Sequence, residues 1–155
     1  MHIWVDADAC PGEAKEVLYR TSKRLQIPIT LVANQMMFVP KSPLVRFELV
    51  AAGANRADQR IVELLQNGDL VISADIPLAA DAVAKGATVL DPRGNVLDAH
   101  SVGSRLATRN LLEDLRSSGI ETGGPAPYSA RNKQDFANQL DRILTRLLRQ
   151  AARQK

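Results

Sequence analysis

The chain has 155 residues, of which 45% are hydrophobic and 24% charged, and its formal net charge is +3. These values are typical of one globular domain, predicted over residues 1–155, and they exclude a disordered chain. No apolar run reaches the roughly 18 residues that a membrane-spanning helix needs, and the start "MHIWVDAD" lacks the features of a secretory signal. Because one cysteine cannot form an internal disulfide, we expect a cytoplasmic protein.

Strand and helix patterns alternate from residue 2 to residue 91. Apolar runs predict five strands, at residues 2–5, 28–33, 45–53, 69–75 and 87–91. Helical periodicity predicts helices at residues 9–27, 55–68 and 76–86. Two prolines indicate an irregular loop at residues 34–45. This order predicts an α/β fold, a three-layer sandwich with a mostly parallel central sheet and helices on both faces.

The last third of the chain is predicted to be helical after Asn95, with a helix at about 101–118, a Gly/Pro loop at 119–129 and a long helix at about 130–151. The long helix carries an apolar stripe of Phe136, Leu140, Ile143, Leu144, Leu147 and Leu148. A separate basic stripe consists of Arg142, Arg146, Arg149 and Arg153. Residues 129–155 hold seven basic and two acidic side chains, a balance of +5 that leaves −2 for the rest. A polyanionic partner and a solvated helix face both explain this basic end.

Four aspartates are placed where the predicted fold brings distant segments together. Asp6 and Asp8 follow the first strand, Asp75 follows the fourth, and Asp58 lies in the first turn of the helix at 55–68. Ligands of open parallel sheets bind beyond the carboxyl ends of the strands. If the chain stays extended, residues at i and i+2 face the same side, so Asp6 and Asp8 would share one spot. We therefore expect all four carboxylates to form one catalytic, metal-binding site.

Clustered carboxylates raise one another's pKa by repulsion, and a divalent cation removes this conflict. Oxygen ligands without a His or Cys cluster favour Mg²⁺ or Mn²⁺, bound directly or through water. Such a centre activates water and stabilises the charge that develops on a phosphodiester. We therefore expect a metal-dependent nuclease with RNA or single-stranded nucleic acid as its partner. The candidates for phosphate contacts are Arg105, Arg109, Arg142 and Arg146.

Single acids also have structural interpretations, which stay open. Asp8 would cap the helix that begins near residue 11, and Asp75 would cap the helix at 76–86. The negative charge of Asp58 stabilises the N-terminus of a helix whatever the function of the protein. Asp81 has Lys85 four residues later, which favours a surface ion pair over a metal ligand.

Two other functions compete with nuclease activity. The strand followed by D-x-D resembles haloacid-dehalogenase-type phosphatases, although Cys10 stands where those proteins have Thr or Val. Cys10 itself would be a nucleophile only with a lowered pKa, and nearby carboxylates favour a packed thiol instead. A non-catalytic RNA-binding module is the other alternative, but aromatic residues make up only 4% of the chain. Binding platforms for bases usually need exposed aromatic side chains.

Five motifs occur together: "VDADACP" at 5–11, Ala57–Asp58, "GDLVISADIPLA" at 68–79, "KGATVL" at 85–90 and "GGPAPYS" at 123–129. In combination they resemble the YaiI/YqxD family, bacterial proteins of largely unassigned function in the PIN-like nuclease superfamily. The resemblance implies a PIN-like sandwich with an acidic metal centre. In it, Asp6, Asp58 and Asp75 match the acids of PIN-like domains, and Asp8 belongs to the family's opening motif. Asn55 stands where many relatives have Asp, which lowers the local charge by one.

Overall fold

The central feature of the fold is a six-stranded sheet. The structure is a computed structural model that describes residues 1–53, 56–104, 115, 119 and 127–153. The strands are β1 (Ile3–Asp6), β2 (Ile29–Ala33), β3 (Val45–Leu49), β4 (Leu70–Ile72), β5 (Thr88–Leu90) and β6 (Val96–Leu97), in the order β3-β2-β1-β4-β5-β6. The first five strands are parallel, and β6 is antiparallel to β5. The chain leaves β1 toward β2 and β3 and later returns beside β1 as β4, so the strand order reverses between β1 and β4.

Helices cover both faces of this sheet. They are α1 (Gly12–Leu25), α2 (Arg56–Leu64), α3 (Ile76–Ala84) and the C-terminal helix α4 (Ala130–Arg153), with further helical residues at 99–104. Side chains alternate along β1. Ile3 and Val5 therefore pack in one core with residues of α1 and α4, whereas Trp4 packs in a second core with residues of α2 and α3. The predicted three-layer α/β sandwich is confirmed. Within the described ranges, none of the helices is long and apolar enough to cross a membrane.

The amphipathic pattern of α4 explains its docking. Five members of the predicted apolar stripe are buried, namely Phe136, Leu140, Ile143, Leu144 and Leu147. Leu148 lies at the border of the stripe and is 36% exposed. Helix α4 contacts α1 and completes the core on that face of the sheet.

The prediction that the chain becomes helical directly after Asn95 is wrong, because β6 follows. Buried Asp91 accepts hydrogen bonds at 2.9 Å from the backbone N–H groups of Arg93 and of Asn95, and these bonds close the turn that pairs β6 with β5. The predicted third strand and second helix are also shorter than expected, since β3 ends at Leu49 and α2 spans Arg56–Leu64. Most of the helix predicted at 101–118 and of the loop at 119–129 lies outside the described residues.

The turn between β5 and β6 packs closely against the start of α4. Gly94 has a φ of +94°, and a Cβ built on it would lie 2.8 Å from the carbonyl carbon of Asp135. The hydroxyl of Tyr128 donates a hydrogen bond of 2.7 Å to the backbone oxygen of Pro92. The turn therefore holds the first part of α4 beside the ends of β5 and β6.

The amino edge, where the parallel strands begin, is organised by one buried carboxylate. Asp69 accepts hydrogen bonds from the His2 backbone N–H at 3.0 Å, the Trp4 indole N–H at 3.0 Å and the Gln66 backbone N–H at 2.9 Å. The rings of His2 and Trp4 lie with their centroids 4.2 Å apart. Because Asp69 precedes β4, these bonds fix β4 beside β1 at this edge.

Candidate acidic site

Asp6 and Asp75 meet at the carboxyl edge, where the parallel strands end, at the point where the strand order reverses. Asp6 is the last residue of β1, and Asp75 lies between β4 and α3. The Ser73 hydroxyl joins them, because it donates a hydrogen bond of 3.1 Å to Oδ2 of Asp6 and accepts one of 3.0 Å from the Asp75 backbone N–H. Ser73 is 2% exposed, so this link is shielded from water.

Asp58 supplies a third carboxylate from the first turn of α2. It lines a cleft of ≈ 490 Å³ together with Asp75 and the acids Glu63 and Asp81. Burial, followed by the charges of Asp75 and Asp6, raises the pKa of Asp58 to about 6. The structure thus brings together three of the four predicted acids; we call Asp6, Asp58 and Asp75 the acidic site.

Electrostatic repulsion also acts on Asp6. Burial raises the pKa of this carboxyl, the hydrogen bond from Ser73 lowers it, and the charges of Asp75 and Asp8 raise it. No basic side chain in the part of the chain that the structure describes forms a hydrogen bond or ion pair with the acidic site. The described residues therefore do not neutralise the negative charge of the site.

The prediction that Asp8 and Asp6 point to one spot from an extended chain is wrong. The backbone turns into a 3₁₀ helix at Ala7–Ala9 directly after β1, so the two-residue periodicity of a strand ends at Asp6. Asp8 is exposed, and its Oδ2 accepts a hydrogen bond of 2.8 Å from the Asn34 backbone N–H. Asp8 lies near enough to affect the pKa of Asp6, but its carboxylate links the end of β1 to the end of β2.

The structure supports one of the capping roles predicted for single acids but not the other, nor the predicted ion pair. Asp75 caps α3, because its Oδ1 accepts a hydrogen bond of 2.9 Å from the Leu78 backbone N–H. Asp8 does not cap α1, whose N-cap is Pro11. The predicted pair of Asp81 and Lys85 is absent among the described contacts, because the Lys85 ammonium donates to the Val62 carbonyl at 2.5 Å. Capping leaves Oδ2 of Asp75 without a hydrogen bond from the described chain.

The donor set fits a hard divalent cation in charge and in ligand type. The acidic site offers carboxylate oxygens whose mutual repulsion helps raise the pKa of Asp58 to about 6. No group of three or more His, Cys, Asp and Glu side chains within the described ranges is arranged to hold a metal ion. Mg²⁺ commonly keeps several waters and uses only one or two carboxylates. Asp58 and the Asp75 oxygen that no described group contacts fit that mode better than a closed cage of protein ligands.

Cys10 lies close to the acidic site but is buried and has no disulfide partner. Burial raises the pKa of its thiol to about 12, with Asp6 adding to the rise and Lys15 opposing it. A thiol in this state carries almost no thiolate near neutral pH, which is the form required for nucleophilic attack. Cys10 therefore packs in the core, which agrees with the interpretation from the sequence that its thiol is not a nucleophile.

The predicted phosphate-binding arginines lie apart from the acidic site where the structure describes them. Arg142 and Arg146 are exposed on α4, about 15 and 21 Å along the helix axis beyond Asn132, at 1.5 Å per residue. Asn132 contacts Arg93 of the β5–β6 turn at 3.3 Å, whereas the far part of α4 reaches the amino edge beside Met1. Arg105, Arg109 and Asn55 lie outside the described residues.

Sequence reasoning did not identify Ser73 as part of the site. Its signal is a small polar residue at the end of an apolar strand, two residues before the acid that caps the next helix. The acids Glu63 and Asp81 were also not placed in the site, although both line its cleft with Asp58. Their side chains are exposed.

Comparison with known proteins gives consistent results over most of the chain. The sequence profile of the YaiI/YqxD family, described as "Uncharacterized BCR", matches residues 4–146. A UPF0178 protein of Burkholderia ambifaria is 55% identical over 146 residues, which cover 94% of this chain and 97% of that protein. A UPF0178 protein of Bordetella avium is 52% identical over 153 residues, 99% of each chain. No solved structure gives a significant match. The chain belongs to the YaiI/YqxD family.

Proposed function

We propose that this protein is a metal-dependent nuclease that hydrolyses phosphodiester bonds of RNA or single-stranded nucleic acid at the acidic site. One observation carries the proposal: β1, α2 and the start of α3 bring Asp6, Asp58 and Asp75 to the point where the strand order reverses. Open α/β sheets bind their ligands at such points. The resemblance to PIN-like nucleases supports the same chemistry, and the single cysteine is compatible with a cytoplasmic setting.

The chain's own residues would hold and orient the reacting groups. Ser73 fixes one oxygen of Asp6, and the Leu78 backbone N–H fixes one oxygen of Asp75. Asp58 and the second oxygen of Asp75 receive no hydrogen bond from the described chain, so they are the residues we assign to holding Mg²⁺ or Mn²⁺, with Asp6 acting directly or through water. When bound, the cation would lower the pKa of a water and stabilise negative charge on the phosphodiester.

The decisive experiment is a cleavage assay on labelled RNA and single-stranded DNA with Mg²⁺, with Mn²⁺ and with a chelator. The test variant is Asp6→Asn with Asp75→Asn, because Asn keeps the shape of both side chains and still caps α3. The matched control is Asp135→Asn with Asp141→Asn, which removes the same charge from the exposed surface of α4. We expect wild type and control to cleave only with metal and the test variant to lose about 100-fold or more in rate.

Thermal melting gives a second readout that does not depend on turnover. A ligand that binds only the folded state raises the melting temperature by mass action. Mn²⁺ should therefore stabilise wild type and control, and it should stabilise the Asp6→Asn, Asp75→Asn variant less. A folded test variant with undiminished, metal-dependent cleavage would refute the proposal.

A further inference from the structure

The segment after β2 exposes apolar side chains to solvent. Phe38 is 92% exposed and Met36 is 75% exposed, whereas Met37 and Val39 pack against the core on the α1 face. Because exposed and packed residues alternate, Met36 and Phe38 lie on the same outward side of this segment. The chain has one Trp, two Tyr and three Phe residues, all within the described ranges, and the other five of these rings are buried or half-buried. Among these six described rings, Phe38 is therefore the one that is open to a ligand.

This exposed pair lies close to the carboxyl edge. Asn34 begins the segment there, and its backbone N–H bonds to Asp8 next to Asp6. Phe38 follows four residues later, so its Cα is at most about 14 Å from that of Asn34. Met37 is held toward α1, since its sulfur lies 3.5 Å from the Lys15 ammonium. The aromatic ring thus lies within a short stretch of chain from the acids.

A cationic cavity lies farther along this segment, where residues 40–45 run beside the C-terminal half of α1 toward the start of β3. This cavity, which we call the α1 pocket, has a volume of ≈ 470 Å³ and lies between α1 and residues 40–45. Arg20, Lys23 and Lys41 line it, and none of its lining residues is Asp or Glu. Among the described contacts, none of these three cations forms an ion pair. The α1 pocket therefore presents unneutralised positive charge beside polar and apolar walls.

We propose that residues 36–41 and the α1 pocket form the binding path for a single-stranded nucleic acid, in which Phe38, flanked by Met36, stacks on a base and the α1 pocket binds a backbone phosphate. An exposed aromatic ring beside a cationic groove is the pattern by which proteins bind single strands without sequence preference. The inference rests on the proposed function, because it supplies the substrate of the acidic site. It also places the phosphate contacts on α1 and on the chain segment that continues from Phe38, instead of on Arg142 and Arg146 of α4.

Binding is measured by fluorescence anisotropy with short labelled RNA and DNA strands in chelator, so that affinity is separated from cleavage. Phe38→Ala should weaken binding roughly 5- to 150-fold, the range for losing one stacked base. Phe38→Tyr should restore most of the affinity, because it keeps the ring. Leu49→Ala is the matched control, since Leu49 is also an exposed apolar residue, 52% exposed at the end of β3.

The phosphate contact is tested by the salt dependence of the same affinity. Lys23→Gln with Lys41→Gln should reduce the slope of log affinity against log salt by about 0.7 for each phosphate that the variant no longer neutralises. Arg142→Gln with Arg146→Gln removes the same charge from α4 and measures the alternative surface. An unchanged slope in the Lys23, Lys41 variant, or full affinity in Phe38→Ala, overturns the inference.

The outcomes also separate this inference from the nuclease proposal. If the wild-type protein cleaves with metal but does not bind the strands, only the proposed binding path is wrong. If the protein binds strands in a way that depends on Phe38 but never cleaves them, only the nuclease proposal is wrong. Wild-type protein that binds neither strand and does not cleave overturns both and leaves the exposed ring to a protein partner.

Discussion

The Ser73 hydroxyl lies 3.1 Å from Oδ2 of Asp6 and connects the ends of β4 and β1. The same hydroxyl accepts a hydrogen bond from the Asp75 backbone N–H, so one buried oxygen links the last residue of β1 to the segment that follows β4. The geometry of the acidic site therefore depends on a residue that carries no charge.

Ser73→Ala should lower the free energy of unfolding by about 1 to 3 kcal/mol, because it leaves buried polar groups without their partner. It should also raise the pKa of Asp6, since the hydrogen bond from Ser73 now lowers it. Urea unfolding and NMR titration of Asp6 measure the two effects. Ser101→Ala, which removes an exposed hydroxyl bonded to Asp98, is the control and should leave Asp6 unaffected. An unaltered Asp6 titration in Ser73→Ala would argue against the hydrogen bond.

The raised pKa of Asp58 predicts how stability depends on pH. The folded protein keeps this proton up to about pH 6, whereas the unfolded chain loses it near its ordinary value of 3.8. The unfolded state therefore binds fewer protons in this window, and stability falls as pH rises from about 4 to about 6. Asp58→Asn should make that decline shallower and stabilise the metal-free protein at pH 7 by about 1 kcal/mol, a value discounted for partial exposure. The raised pKa of Asp6 keeps part of the decline in this variant.

Urea unfolding in chelator at pH 4 and at pH 7 measures this difference. Asp81→Asn is the control, because Asp81 lines the same cleft but is exposed. A difference in stability between wild type and Asp58→Asn that is the same at both pH values would show that Asp58 is not held among repelling charges.

Gly94→Ala should destabilise the protein by about 1 to 3 kcal/mol, because the turn requires a left-handed backbone and leaves no room for a methyl group against Asp135. Gly12→Ala is the control. A Cβ there meets no atom within 4 Å, and the added methyl group should leave stability unchanged or raise it by up to about 1 kcal/mol. Thermal and urea unfolding compare the two variants, and equal stabilities would contradict the close packing at Gly94.

The convergence of Asp6, Asp58 and Asp75 could be predicted from the sequence because it depends on the order of whole strands and helices and not on the direction of single side chains. Apolar runs locate strands, parallel strands end at one edge, and the residues that follow them must meet there. Asp8 was misplaced because the backbone turns into a 3₁₀ helix after Asp6, and no periodicity in two residues could indicate that turn. β6 was missed for a related reason, since the hydrogen bonds of Asp91 close the turn before a strand of only two residues.

Ser73 and Phe38 were missed because their importance depends on the direction of a side chain. Ser73 is one polar residue in a buried run, and only its distance to Asp6 shows that it bridges two strands. Phe38 stands in the apolar run "MMFV", which favours burial of all four residues. Packing decides instead that Met37 and Val39 face the core while Phe38 faces solvent.

The single tryptophan has a practical consequence. Its indole donates to buried Asp69 and lies beside the ring of His2, at the opposite edge from the acids. The intrinsic emission of Trp4 should therefore change sharply when the sheet unfolds. It should also respond to protonation of His2, which occurs at a lower pH than for an ordinary histidine because burial lowers the pKa of this imidazole. The protein thus carries its own optical probe at the amino edge. Cations titrated at the carboxyl edge should leave its emission free to report on unfolding.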